Sequence, residues 1–146
     1  MEPQKYQQIY SFTGGLQTFT VPFGVFSATI MAVGAIGGKT VYSAPGNRIC
    51  LPGRGASIQG DFSVAAGEVL TISVGGRGSN AVNKGGGGGG GTFVWRGNGP
   101  VSLSNLLLAA GGGGGTGSRV SGTDARIIQN GASGNAGGNE GREGQG

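Results

Sequence analysis

The sequence predicts an all-β protein with little or no α-helix, and three observations carry that expectation. Apolar residues alternate with polar ones over short stretches, no window sustains a 3.6-residue apolar period, and glycine clusters stand where the strand-like stretches end. With 37 glycines and 5 prolines in 146 residues, the composition approaches that of low-complexity chains. The apolar residues nevertheless gather into blocks and only 11% of the residues are charged, which is the opposite of a disordered composition. One domain is expected over residues 1–146, with 1–13 as an exchangeable amino-terminal strand and 111–146 as a glycine-rich tail.

The elements follow in order. Residues 10–13 and 16–21 flank Gly14-Gly15 and read as a hairpin with a primed turn, closed by Pro22. "VFSATIMAV", residues 25–33, carries apolar and β-branched residues on both faces, so it reads as a strand covered on both sides. In residues 58–64, Ile58, Phe62 and Val64 share one face and Gln59, Asp61 and Ser63 the other. The turn "AAGE" then leads into residues 69–74, where Leu70, Ile72 and Val74 alternate with Thr71 and Ser73, and a second hairpin is expected. Residues 92–95 and 106–110 are two further short strands.

Glycine recurs at the strand exits: Gly34, Gly37 and Gly38 after Val33, Gly75 and Gly76 after Val74, Gly85, Gly88 and Gly91 in the seven-glycine run before Thr92, and Gly111 and Gly114 after Ala110. In the tail, Gly131, Gly134 and Gly137 are three apart, and Gly138, Gly141 and Gly144 resume the step. Three residues per turn is the period of polyproline II, a backbone without internal hydrogen bonds whose amides and carbonyls point sideways. Glycine alone lets such backbones approach on several sides, so these residues are expected to form a bundle of polyglycine II helices inserted between the strands. In that bundle a valine at Gly88 is expected to disrupt folding.

The same composition limits the chemistry. There is no histidine, and Cys50 is the only cysteine, so no intrachain disulfide or multi-cysteine metal site can form. "GAIGGKT" ends like a phosphate-binding loop, but Val33 stands where the first glycine of that motif belongs, and Pro45 interrupts the helix that should follow Lys39 and Thr40. Asp61 and Glu68 read as solvated surface charges, Phe93 and Trp95 as core, and Cys50 as a small buried group. The net charge is +4 with its cations scattered singly, so no nucleic-acid site is expected, and Arg48, Arg54, Arg77 and Arg96 read as solubility residues with an acidic glycan as the sharper alternative. No catalytic residue, cofactor, metal or membrane span is expected.

The blocks "LQTFTVPFGVFSATIMAVGAIGG", "GRGASIQGDFSVAAGEVLTISVGGRG", "GGGGGGGTFVW" and "LLLAAGGGGG", in this order over residues 16–117, resemble the glycine-rich domain of the anaplastic lymphoma kinase and leukocyte tyrosine kinase receptor ectodomains. Similar domains occur in bacterial and phage surface proteins. The resemblance implies a jelly-roll-like β-sandwich carrying a polyglycine II bundle, used for adhesion or ligand binding at the surface of a cell, spore or virion. The receptor cysteines are not matched beyond Cys50, and the family pattern continues into a further strand where this chain has "GREGQG". That departure leads to the expectation of an open sheet edge, covered by the segment bearing Tyr10 and Phe12 and, between copies, giving a homo-oligomer or filament. A monomeric module that binds a protein or glycan ligand is the alternative, and ice binding a minor one.

Overall fold

The structure, a computed structural model, describes residues 5–127. The strands are β1 (Gln17–Thr20), β2 (Ser27–Val33), β3 (Thr40–Tyr42), β4 (Arg48–Cys50), β5 (Ser57–Ser63), β6 (Val69–Ser73), β7 (Ala81–Val82), β8 (Thr92–Arg96) and β9 (Leu106–Ala110), and the described residues contain no helix. They form three sheets: β1-β6-β8-β9, all antiparallel; β2-β5, antiparallel; and β4-β3-β7, in which β3 and β7 run parallel.

The first two sheets face each other as a sandwich. Alternation puts Ala32 of β2, Leu70 and Ile72 of β6, Val94 of β8, and Leu108 and Ala110 of β9 in one buried cluster, with Phe19, Ile30, Ile58 and Phe62 packed against it. The fold is therefore all-β and sandwich-like, as the apolar pattern predicts. The small third sheet lies beyond the sandwich, after the glycine segments that leave it.

Three local expectations are corrected. Residues 10–13 form no strand and the first hairpin is absent. Side chains hold this turn in place of a ladder: Gly15 N–H bonds Thr13 Oγ1 at 3.3 Å and Gln17 Nε2 donates to the Ser11 carbonyl at 2.8 Å, while β1 pairs with β6. Tyr10 instead packs against the core, and that burial pushes its hydroxyl above the ordinary tyrosine range.

Strand β2 is covered on one side only. Ser27, Thr29, Met31 and Val33 are exposed, with Met31 at 65%, because β2 sits in a two-stranded sheet over which the described residues place no third layer. The second hairpin is also absent. β5 and β6 lie in different sheets, so the apolar faces of the two strands meet across the sandwich and not side by side. Sequence alternation cannot separate those arrangements, since both bury the same residues.

The turn between them carries the chain from one sheet to the other. Glu68 N–H bonds the Ala65 carbonyl at 3.0 Å, with Gly67 at φ 79°. Arg96, on β8, then ties the turn down by pairing with the Glu68 carboxylate and donating to the Ser63 carbonyl at 2.7 Å. The Arg96 hydrogen bond is the main cause that holds the Glu68 carboxyl below the ordinary glutamate range.

A carboxylate whose pKa is depressed by folding stabilises the fold above its unfolded pKa, and that contribution is lost as pH falls through the folded value. Both side chains are partly exposed, so the effect is modest. Glu68→Gln is expected to lower the melting temperature slightly at pH 7, with the difference from wild type vanishing in melts below the folded pKa of Glu68.

Candidate functional site

The glycine segments are where this molecule departs from an ordinary sandwich. Segments 34–38, 53–56, 75–79, 86–91, 111–116 and 122–125 lie side by side outside any strand, joined by backbone hydrogen bonds. In every segment but 75–79, donors return to the same neighbour at every third residue. Gly34 and Gly37 donate to Ala56 and Gly53, whereas Ala35 and Gly38 donate to Gly90 and Gly87. Gly86 and Gly89 donate to Thr116 and Gly113, whereas Gly87 and Gly90 donate to Ser79 and Gly76. A β-ladder recurs every second residue and reaches neighbours only within one layer.

Segments 34–38 and 111–116 each bond to four others, which is the connectivity of two rows of three: 75–79, 34–38, 53–56 over 86–91, 111–116, 122–125. Segments 34–38 and 53–56 extend β2 and β5 in one row and 86–91 and 111–116 extend β8 and β9 in the other, while 75–79, which extends β6, bonds to 34–38 as well as to 86–91 and so joins the first row. Where the strands carry side chains, the sheets stand apart around a core. Where they turn to glycine, the layers close up until backbone bonds cross between them, as in Gly38 N to Gly87 O at 2.7 Å and Gly113 N to Ala35 O at 2.8 Å.

Buried threonines bracket this slab. At the sandwich end, Thr92 Oγ1 donates to the Val33 carbonyl at 2.7 Å and accepts from Gly75 N–H at 3.0 Å, joining the two layers through one hydroxyl. At the far end, Thr40 and Thr116 share a hydroxyl hydrogen bond of 2.5 Å, Thr40 donates to the Lys84 carbonyl and Thr116 accepts from Gly86 N–H.

The need for glycine is uneven. A Cβ at Gly34 or Gly37 would fall within 3.0 Å of the Gly111 or Gly114 carbonyl, and one at Gly38 or Gly75 within 3.0 Å of the Ser79 or Gly90 carbonyl. At Gly85 it would stand 2.9 Å from the Thr116 carbonyl, at Gly114 3.0 Å from that of Thr123, at Gly76 2.8 Å from the Phe12 ring and at Gly91 3.0 Å from the Phe93 ring. Gly88 and Gly111 differ, since a Cβ at either meets nothing closer than 3.8 Å. The expectation for Gly88 is thereby corrected: it faces outward, and its neighbour Gly89, pressed against Ala35 of the other layer, is the sensitive residue. Gly53, Gly55, Gly78, Gly112, Gly113 and Gly122 are equally confined and were not singled out from the sequence. Gly131, Gly134, Gly137, Gly138, Gly141 and Gly144 lie outside the described residues.

The other sequence candidates fall as follows. Tyr10 and Phe12 belong to no strand; both lie on the body of their own chain, Tyr10 against the core and Phe12 beside Gly76. Thr40 opens β3, so a strand and not a helix follows "GGKT". Asp61 accepts from Thr29 Oγ1 at 2.5 Å while Glu68 pairs with Arg96, and the two carboxylates have separate partners. Trp95 is buried and donates from Nε1 to the Gly99 carbonyl, whereas Phe93 is exposed; a bulge in the β8-β9 pairing falls at Val94 and Trp95. Cys50 is buried and free. Among the described residues no group of His, Cys, Asp or Glu could hold a metal ion, and no helix is long and apolar enough to cross a membrane.

The charges sort by region. Lys39, Arg48, Arg54, Arg77, Lys84, Arg119 and Arg126 lie in residues 34–56, 75–91 and 111–127 with Asp124 as their one acid, while Lys5 and Arg96 balance Asp61 and Glu68 in the rest of the described chain. At the end of the sandwich away from the slab, the loops after β1, β5 and β8 meet, through Val21 N to Glu68 O at 2.8 Å, Val64 N to Phe26 O at 3.0 Å and Gly97 N to Val69 O at 2.7 Å. This apex exposes Phe23 at 94%, Phe26 at 73% and Leu103 at 97%.

Compared with the known protein families and with the curated proteins, the chain matches none. What can be said of its function therefore comes from the slab and the apex.

Gly89→Ala is expected to cost about 3 kcal/mol or more, since the layers must part to admit the methyl group, while Gly88→Ala changes stability by less than about 1 kcal/mol. Chemical denaturation of the two variants measures the contrast. Amide exchange should be slow at Gly86, Gly87, Gly89 and Gly90 and faster at Gly88. Thr92→Val leaves the Val33 carbonyl and the Gly75 amide without their bridge and is expected to cost about 2 kcal/mol in the same assay.

Proposed function

We propose that this protein is a non-enzymatic surface module in which the slab is a polyglycine II bundle acting as a stiff spacer, and that copies associate, in the limit into a fibre. The observation that carries this reading is the three-residue recurrence of cross-layer hydrogen bonds, the spacing of a backbone with three residues per turn. A segment bonded to four neighbours cannot stretch or slide without breaking several bonds at once, so the slab serves rigidity and not chemistry. An extracellular or cell, spore or virion surface setting, and the adhesive role implied by the receptor-like and phage-like blocks, belong to the same proposal.

Association is supported by the unequal sheets. The β2-β5 sheet has two strands where the sheet opposite has four, so among the described residues each of its strands has one side without a ladder partner. Such an edge is a template for a strand from another chain. In this reading the segment bearing Tyr10 and Phe12 leaves its own seat and pairs there with the next copy, head to tail. The rival reading, a monomeric recognition module, draws on the exposed apex.

Sedimentation and negative-stain microscopy separate the two. Elongated assemblies that grow with concentration and vanish on deleting residues 1–13, with the β-sheet circular dichroism retained, are the expected result. A strictly monomeric chain at high concentration leaves the recognition module standing. Amide exchange as fast in the slab as in an unfolded chain would remove the spacer reading altogether.

A further inference from the structure

We propose that the apex is a lipid-docking surface, inserting Phe23, Phe26 and Leu103 into the interfacial layer of a bilayer. This goes beyond the spacer reading and does not depend on whether copies associate. The three residues sit on two loops at one end of the sandwich, and Phe23 and Leu103 are almost wholly exposed, at 94% and 97%. Single exposed apolar residues are ordinary, but three large ones on loops at the same end of a sandwich mark an interaction site.

The loops that present them are braced. Asn105 Nδ2 donates to the Pro100 carbonyl at 3.0 Å and Asn105 Oδ1 accepts from Ser102 N–H at 2.7 Å, while Val64 N–H holds the Phe26 carbonyl at 3.0 Å. The side chains are thus held outward by loops that cannot easily fold them back.

Charge selects the partner. The ionised groups near the apex, Glu68 and Arg96, are paired with each other, and the excess cations lie with the slab, away from this end. An acidic or basic protein surface finds nothing here to pair with. The polar side chains of the loop after β8 are all neutral, Asn98, Ser102 and Ser104 among them, and suit the level of lipid headgroups. Phe23 and Leu103 stand almost wholly exposed on separate loops, and a deformable apolar layer accepts each one singly.

The test uses the full chain with sucrose-loaded vesicles of phosphatidylcholine alone, and of phosphatidylcholine with phosphatidylserine. Sedimentation with both is expected, with little change on adding salt, because no charge carries the contact. Phe23→Ser/Leu103→Ser should weaken binding about hundredfold, roughly tenfold or more for each side chain withdrawn, with the melting curve unchanged. In Leu103→Trp the new indole should shift to the blue on adding vesicles, while the buried Trp95 stays constant. The proposal is overturned if phosphatidylcholine vesicles bring down nothing, if binding needs phosphatidylserine and disappears with salt, if the double serine variant binds as well as wild type, or if that variant abolishes only a salt-resistant self-association.

Discussion

Everything in this protein depends on backbone hydrogen bonds that cross between two layers, and those bonds form where glycines remove the Cβ atoms that would stand between the backbones. In a sandwich, side chains hold the sheets about 10 Å apart and each sheet satisfies its own amides. Beyond Val33, Val74 and Ala110, and before Thr92, glycine replaces most of the side chains. The layers then close to hydrogen-bonding distance, so that Gly38 reaches Gly87 and Gly113 reaches Ala35. One chain thus passes from a core of buried apolar groups to a core of buried peptide groups, with 75–79 gaining a bond to 34–38 of the facing layer on the way.

The energetics explain why the two halves come together. Fixing a residue costs about 1 to 2 kcal/mol, and glycine is the most expensive to fix. A net hydrogen bond returns only about 0.5 to 1.5 kcal/mol, so glycine segments of this length would not order alone. The sandwich core fixes one end of each row, Thr92 bridges the layers where they begin to converge, and Thr40 with Thr116 closes the other end. Ile72, Val94 and Leu108 in effect hold the slab's glycines at the right separation from outside it.

The same division gives the molecule two unlike ends. The slab carries most of the charge because long cationic side chains are the ones that can leave a packed peptide lattice and reach water. The sandwich end is nearly charge-balanced, with its ionised pair Arg96 and Glu68 committed to holding the turn between sheets. Its large apolar side chains that find no core project from loop tips.

The sequence by itself determined the class, most of the strands and the presence of a glycine lattice. Alternation in residues 58–64 and 69–74 fixes which side chains go inward, and glycine density excludes a helix. It did not determine that β5 and β6 lie in facing sheets, because a hairpin and a sandwich corner bury the same Ile58, Phe62, Leu70 and Ile72. Nor could it choose Gly89 over Gly88. In a run of seven identical residues no side chain marks which face turns toward a neighbour, and the phase is set only when Thr92 is pinned between Val33 and Gly75 at one end and Gly86 to Thr116 at the other. The gathering of Phe23, Phe26 and Leu103 was likewise beyond reach of the sequence, since 80 positions separate the first from the last and only the closure of the sandwich brings their loops to one end.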